Sequence, residues 1–340
     1  MTRNRINIIV LICIIIVGIL LFFLNLLIGS VTIPFKDVLN AFYASEANPT
    51  VSTIVFDYRL PQVVTALFAG AALSVAGLLM QTLFRNPLAD PSMLGISSGA
   101  GLGVAITILL TGILGGSALS GMGIWMNLGV SLAAFAGATL VLMLILGFSS
   151  RVRNMTTLII IGLMVSYLAA SLTDIMKFFS VKEDIHAFVI WGMGSFSAVG
   201  TSKLMFFSIS IVLGLFASLF MSKNLNVILL GDLYAENLGI NVKRNSMFII
   251  LVSGYLTAIV TAYCGPIAFL GLAIPHLARF IFKTSDHRIL IPAVMLIGMV
   301  ISLLCNLVAR MPGFEGNLPI NAVTAFIGAP IVIWVILRKR

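Results

Sequence analysis

The segment LGDLYAENLGI, residues 230–240, is the stretch from which the rest of the chain can be interpreted. It lies between two long apolar segments, and a short helix can begin at Asp232 and end at Gly239. Aspartate accepts hydrogen bonds from the first free amides of a helix, and glycine readily adopts the left-handed conformation that ends one. Between these two residues lies a short apolar face formed by Leu233, Tyr234 and Leu238. The segment predicts a capped helix with an exposed apolar face between membrane spans.

Charged residues surround this predicted helix. Glu236 lies within it, Lys223 precedes it, and Lys243 and Arg244 follow it. Such a helix can be a surface that a partner protein grips, or an amphipathic helix that lies on lipid headgroups. The residues of the segment alone leave both interpretations open.

The composition is that of a membrane protein. Of the 340 residues, 60% are hydrophobic and 9% are charged, and the mean hydropathy is +1.15. Soluble domains carry about 25% charged residues. We therefore predict an all-α polytopic membrane protein with a single transmembrane domain over residues 1–340. The net charge of +9 comes from basic residues in short loops, so the expected surroundings are a lipid bilayer and the chain is not expected to bind nucleic acid.

About ten transmembrane helices are expected. The apolar runs cover residues 6–28, 60–81, 94–114, 122–147, 156–176, 201–221, 246–264, 268–282, 289–308 and 320–337. The run 268–282 is too short for a regular span of about 20 residues and contains Pro275. We expect one short, broken helix there. Gly265–Pro266 and Gly271 are expected to interrupt helical geometry.

Small residues recur at helix-contact spacing in two of these runs. Gly95, Gly99 and Gly103 follow one another at intervals of four, and the pattern is repeated by Gly129, Ala133 and Gly137. Small side chains let helix backbones approach closely within a bilayer. These stripes predict contacts between helices and no chemistry.

The basic residues indicate the orientation. If the first residue is cytoplasmic and the spans alternate, 14 of the 20 basic residues fall inside and 6 outside. This bias predicts that both termini are cytoplasmic. It also places residues 230–240 in a cytoplasmic loop.

Motifs for chemistry are missing from the sequence. It contains neither a G-x-x-x-x-G-K-[ST] phosphate loop nor an H-E-x-x-H zinc motif, so no catalytic residue, metal ligand or cofactor is assigned to this chain. No Asp, Glu, Lys or Arg lies in the middle of a span, where ion-coupled transporters usually need ionisable relays. The energy for transport is therefore expected from a partner. A secondary, ion-coupled transporter is the main alternative, and a membrane-embedded enzyme is the next.

Several blocks in fixed order resemble the FecCD family, the permease subunits of ABC importers for iron–siderophores, haem and cobalamin. They are RLP at 59–61, GAAL at 70–73, RNPLADP at 85–91, LGI at 94–96, WGMGS at 191–195, the segment 230–240, GPIAFLGL at 265–272, PHLAR at 275–279 and TAFIGAP at 324–330. Three residues depart from the pattern. Gln62 stands where cobalamin relatives have an arginine, Asn306 where aspartate is common, and Asn321 where glycine is common.

The resemblance implies partners and sites. The chain would form a homodimer in the bacterial cytoplasmic (inner) membrane, with two ATP-binding subunits inside and a periplasmic or lipid-anchored substrate-binding protein outside. The ATPase-coupling residues would be Gly231, Asp232, Leu233, Tyr234, Glu236, Leu238 and Gly239. Arg85 and Arg279 would lie at the cytoplasmic boundary near the ATPase. Arg59 and Arg310 would dock the binding protein. The alternative for these two arginines is local pairing, with Asp57 and Glu315 respectively.

Overall fold

A computed structural model describes residues 3–29, 31–43, 48–110, 123–152, 155–311 and 317–338. All regular elements in these ranges are helical, as expected for a chain whose backbone amides must find partners without water. The α-helices are α1 (Arg3–Leu27), α2 (Phe35–Tyr43), α3 (Pro49–Thr53), α4 (Leu60–Leu83), α5 (Ile96–Ala105), α6 (Gly123–Ser149), α7 (Met155–Phe179), α8 (Lys182–Gly192), α9 (Thr201–Phe220), α10 (Ser222–Ile228), α11 (Asp232–Asn237), α12 (Val242–Cys264), α13 (Leu270–Phe282), α14 (His287–Ala309) and α15 (Ile320–Arg338). Short 3-10 helices lie at Pro91–Leu94 and Phe196–Ala198, and π-helical turns at Ile54–Arg59 and Ile106–Leu110.

The prediction of an all-α polytopic membrane protein is confirmed. Within the described ranges, seven helices are long and apolar enough to cross a membrane, and three shorter apolar helices accompany them. One of the seven, Pro49–Leu83, begins before the predicted run because the π-helical turn joins α3 to α4 without a break. The number of crossings, the side of each terminus and the single-domain organisation stay predictions.

The short helix was predicted correctly in length and incorrectly in shape. Helix α13 has 13 residues, about 20 Å at 1.5 Å per residue, and it continues through Pro275. Gly271 lies in its first turn and does not interrupt it. The helix tolerates Pro275, the sixth residue, at the loss of one backbone hydrogen bond. The break lies earlier, where Gly265 and Phe269 both have positive φ angles. In this non-helical stretch, the amide of Ala268 donates to Oδ1 of Asn321, 3.1 Å away.

The described chain clusters into two compact units. The first contains Met1–Val75, Ser195–Phe216 and Ala268–Arg340. In it, α4 and α14 approach so closely that a Cβ atom at Gly70 would overlap the carbonyl of Gly298. The Ser302 hydroxyl on α14 donates to the carbonyl of Ala66 on α4. Small residues and a hydrogen bond between the helices thus hold them together in an apolar surrounding.

The second unit contains Ala76–Gly194 and Ala217–Ile267. The predicted small-residue stripes meet here, because Gly99 packs on Gly137 and Gly103 packs on Ala133. There is no room for a Cβ atom at Gly99 or at Gly103. Contact between α5 and α6 is therefore confirmed. Gly95 instead faces α7, where a Cβ atom would lie 2.9 Å from both the Gly162 carbonyl and the Ser166 hydroxyl.

Candidate functional site

Helix α11 ends as the sequence predicts. The Gly239 amide donates to the carbonyl of Glu236, and the Ile240 amide donates to the carbonyl of Ala235, each at 2.9 Å. Gly239 itself has a φ of +80°. This pair of bonds is a Schellman motif, which satisfies the last carbonyls of a helix and needs a residue that tolerates the left-handed conformation. A six-residue helix thereby gains a defined end.

The start of α11 differs from the prediction. Gly231, with a φ of +118°, occupies the N-cap position, and no side chain caps the helix there. The expectation that Asp232 caps the helix is wrong, because Asp232 is already the first helical residue. Its carboxylate accepts a hydrogen bond from Nη2 of Arg85 instead. A negative charge in the first turn still interacts favourably with the helix dipole.

The apolar face of α11 is open. Leu233 is 78% exposed, Tyr234 67% and Leu238 62%, whereas Ala235 on the opposite side is buried. Leu230, 63% exposed, extends this surface in front of the helix. Exposed apolar side chains on a short, polar-edged helix are suited to a groove on another protein. We call Leu230, Leu233, Tyr234 and Leu238 the α11 face.

Arg85 links this helix to the end of α4. In addition to its ion pair with Asp232, its Nε donates to the carbonyl of Ile228 at 3.3 Å. Arg85 has a φ of +47°, an uncommon conformation for a residue with a side chain. Sequence reasoning named both residues and missed their pairing, since they are 147 positions apart. Arg279, the other predicted boundary residue, lies in the last turn of α13, where a cation is favourable.

Arg59 and Arg310 line one cavity of about 530 Å³, which we call the arginine cavity. Its other lining residues include Asp57, Tyr58, Gln62, Ser197 and Asn317. Arg59 is only 2% exposed. It donates to the carbonyls of Leu26 at 2.6 Å, Leu27 at 2.9 Å and Val31. Asp57 makes no ion pair with it in the described part of the chain, so the local partners of Arg59 are backbone carbonyls.

Arg310 has a different environment in the same cavity. It is 7% exposed, and its buried Nη1 has no hydrogen-bond partner among the residues that the structure describes. A Cβ atom at Gly29 would lie 2.8 Å from Nη2 of Arg310 and 3.2 Å from Nη2 of Arg59, so the two guanidinium groups lie side by side over this glycine. Burial, with repulsion from Arg59 as the smaller cause, lowers the pKa of Arg310 to about 10. Glu315, its predicted local partner, lies outside the described residues.

Two departures from the family pattern turn out to be partners. Nε2 of Gln62 donates to Oδ1 of Asn306 at 3.0 Å, and Nδ2 of Asn306 donates to Oδ1 of Asn25 at 2.9 Å. Nδ2 of Asn25 donates in turn to the carbonyl of Leu303 at 3.1 Å. All three side chains are buried. This amide network was missed, although three amides in otherwise apolar spans were the available signal.

In the part of the chain that the structure describes, no three His, Cys, Asp or Glu side chains come together as metal ligands would. What the geometry offers is an open apolar helix face in one unit and a buried pair of cations in the other. Neither arrangement has the nucleophile and base of a catalytic site. Both have the chemistry of recognition.

Comparison with known proteins identifies related chains. The model of the FecCD transport family matches residues 13–338. The vitamin B12 import system permease protein BtuC of Klebsiella pneumoniae subsp. pneumoniae is 34% identical over 286 residues, 84% of this chain and 83% of that protein. BtuC of Escherichia coli O9:H4 is 34% identical over 294 residues, 86% of each chain. A solved inward-facing structure of a metal-chelate type ABC transporter has a TM-score of 0.83 and 29% identity, covering 97% of this chain and 99% of that one.

Proposed function

Because residues 13–338 make this chain a member of the FecCD transport family, we propose that it is the membrane-spanning permease subunit of an ABC importer. The single observation that carries the proposal beyond family membership is the α11 face, whose three helix-associated side chains are 62–78% exposed. The chain lacks a phosphate loop, so ATP would be hydrolysed by a separate subunit and this chain would not be an enzyme. The inner membrane of a bacterium is the proposed location.

The α11 face is the proposed ATPase contact. An amphipathic helix that lays its apolar side into a hydrophobic groove is a recurring mode of recognition, and buried aromatic and apolar anchors supply most of its binding energy. The Schellman motif and the Arg85–Asp232 ion pair hold the helix in place from its two ends. Two copies of the chain would present two such helices to a pair of ATPase subunits.

The arginine cavity is the proposed docking point for the substrate-binding protein. Its two arginines would have different parts in docking. Nη1 of Arg310 is buried and has no partner among the described residues, so a carboxylate of the partner would have to enter the cavity to reach it. A charge-assisted bond of that kind is stronger than a neutral one. Arg59 already uses its guanidinium on three carbonyls, so it supports the wall of the cavity and repels Arg310, which favours an incoming anion.

The proposed cargo is a bulky metal chelate. The relatives that support this are the vitamin B12 permeases at 34% identity and the metal-chelate type transporter at 29%. A ferric siderophore, haem and cobalamin all belong to this class. Movement of the ATPase pair would displace α11, and Arg85 would pass this displacement to the end of α4, so that the spans alternate between outward- and inward-open forms.

The test is a substitution on the α11 face. In Leu233→Asp and Leu238→Asp the permease should stay folded, because both side chains are already exposed, and it should lose ATPase co-purification and stimulated ATP hydrolysis. Loss of buried interface anchors costs about 2 kcal/mol or more, roughly a thirtyfold loss in affinity. The matched control is Val181→Asp, an apolar residue that is 56% exposed just before α8.

Two outcomes would contradict the proposal. One is normal assembly and normal stimulated turnover in both Leu→Asp variants. The other is substrate uptake that continues when the partner ATPase is inactivated and stops when ion gradients are collapsed, because that behaviour belongs to a secondary transporter.

A further inference from the structure

A second cavity, of about 690 Å³, lies where α12 begins, in the same unit as α11. Its volume is within the range of about 300–1,000 Å³ found for ligand pockets. One end is polar and is lined by Asn224, Asn241, Arg244 and Asn245. The other end is apolar and is lined by Leu146, Met247, Phe248 and Leu251. We call it the α12 groove.

One face of α12 sets the order of these groups. Arg244, Phe248 and Leu251 follow one another at intervals of four and three residues, so they lie on the same side of the helix. At 1.5 Å per residue, Leu251 lies about 10 Å further along the helix axis than Arg244. Phe248 is 43% exposed and Leu251 38%, so this part of the chain does not cover them. Leu146 of α6 forms the facing wall.

Hydrogen bonds hold the polar end of the groove in place, and its positive charge has no ion-pair partner in the described residues. Nδ2 of Asn224 donates to Oδ1 of Asn245 at 2.7 Å, and Nδ2 of Asn245 donates to the carbonyl of Asn241 at 3.0 Å. These bonds fix the two helices α10 and α12 around the opening. The Arg244 guanidinium has no ion pair in the described residues, while its backbone amide is capped by Asn241 at 2.9 Å. An exposed cation without an ion pair in the described residues therefore borders the polar end.

We propose that the α12 groove binds an anionic phospholipid of the cytoplasmic leaflet. The phosphate would meet Arg244 and the exposed end of the groove, and an acyl chain would lie along Phe248 and Leu251. The helix supports this assignment because α12 is long and apolar enough to span a membrane, so its first residues would lie at the headgroup level and Leu251 within the hydrocarbon. Basic pockets between spans on the cytoplasmic side are suited to such headgroups.

Other occupants match the groove less well. A small water-soluble anion would satisfy Arg244 and leave the apolar wall uncovered. A neutral apolar ligand would cover that wall and leave the cation without a counter-ion. A phospholipid with a negative headgroup supplies both parts in the right order. Gly239 and Ile240 also line the groove, so the bound lipid would lie directly beside the end of α11.

The experiment measures lipid retained by the purified permease. The wild-type chain is reconstituted with phosphatidylglycerol or phosphatidylcholine, and the bound lipid is counted by native mass spectrometry. Arg244→Gln should retain about fivefold less phosphatidylglycerol, the effect expected for one basic residue near an anionic lipid surface. The matched control is Lys243→Gln, which removes the neighbouring cation that does not line the groove. Phe248→Ala should weaken retention of phosphatidylglycerol by loss of acyl-chain contact.

The arms of the experiment separate the possible occupants. Equal losses in Arg244→Gln and Lys243→Gln would show a general surface potential and would overturn the proposal. Displacement of lipid by glycerol 3-phosphate alone would assign the groove to a free phosphate and would also overturn it. Unchanged lipid retention with lost ATPase co-purification in Arg244→Gln would assign the groove to the ATPase. The readout does not depend on transport, so failure here leaves the proposed function untouched.

Discussion

Charged residues serve opposite purposes in α11 and in the arginine cavity. The Arg85–Asp232 pair that holds α11 is open to solvent, with side chains 40% and 55% exposed, and an exposed ion pair contributes only about 0–1 kcal/mol. Arg59 is buried and donates to three backbone carbonyls, of which the buried carbonyl of Leu26 would cost about 1–3 kcal/mol if left without a donor. The difference teaches that the hydrogen bonds of Arg59 hold the wall of the arginine cavity in one shape, whereas the ion pair at α11 can be broken at a low cost in free energy.

The strongest test of this contrast replaces an amide beside the arginine cavity with an acid. Asn306→Asp places a carboxylate in a fully buried position, where an uncompensated charge costs about 3–5 kcal/mol. Protonation would remove this buried charge, so the variant should lose less stability relative to the wild type at pH 5 than at pH 8. Gln62→Arg in the same chain should restore much of the loss by pairing with it. The measurement is thermal unfolding of the purified permease at both pH values.

Asn306→Leu is the control, because it removes the amide without adding a charge. Its stability should depend on pH no more than that of the wild type. If Asn306→Asp unfolds like the wild type at pH 8, the buried amide network does not exclude a charged side chain as we expect.

The two arginines of the cavity should separate stability from docking. Arg59→Met removes the donor of the buried Leu26 carbonyl and two further hydrogen bonds to part-buried carbonyls, and it should lower the free energy of unfolding by about 3 kcal/mol. Arg310→Gln removes a guanidinium that is poorly satisfied, so it should unfold near the wild-type temperature and bind the substrate-binding protein about tenfold more weakly. Unfolding curves and binding titrations on the same preparations check both. Similar effects of the two substitutions on both quantities would remove the distinction.

The smallest effect is expected for the Arg85–Asp232 ion pair beside α11. Arg85→Asp and Asp232→Arg should each reduce substrate uptake per ATP hydrolysed, and the double exchange should recover part of it, with a coupling energy of about 0.5–1 kcal/mol. Aspartate tolerates the left-handed backbone at position 85, so the exchange tests the ion pair and not the backbone. Arg85→Asn gives the same backbone tolerance without a charge. A double exchange as defective as the two single ones added together would show that the pair carries no coupling.

Local features were predictable and distant pairings were not. The spans follow from long apolar runs, and the end of α11 follows from a glycine that can adopt a positive φ. The predicted N-cap of α11, Asp232, was wrong because the capping position depends on the backbone angles of Gly231, which the residue type does not fix. Gln62 and Asn306 are 244 positions apart, and a single sequence does not say which polar residues of separate helices will meet.

The stretch before α13 affects how many water molecules the backbone needs as hydrogen-bond partners within the membrane. Since α13 is about 20 Å long and the hydrocarbon about 30 Å thick, some of the membrane depth beside it falls to non-helical backbone. Oδ1 of Asn321 supplies the acceptor that a water molecule would otherwise give to the amide of Ala268. This bond satisfies the amide of an exposed residue, Ala268, within the protein. In a membrane-spanning member of a transport family, a backbone amide satisfied in this way does not need a water molecule inside the hydrocarbon.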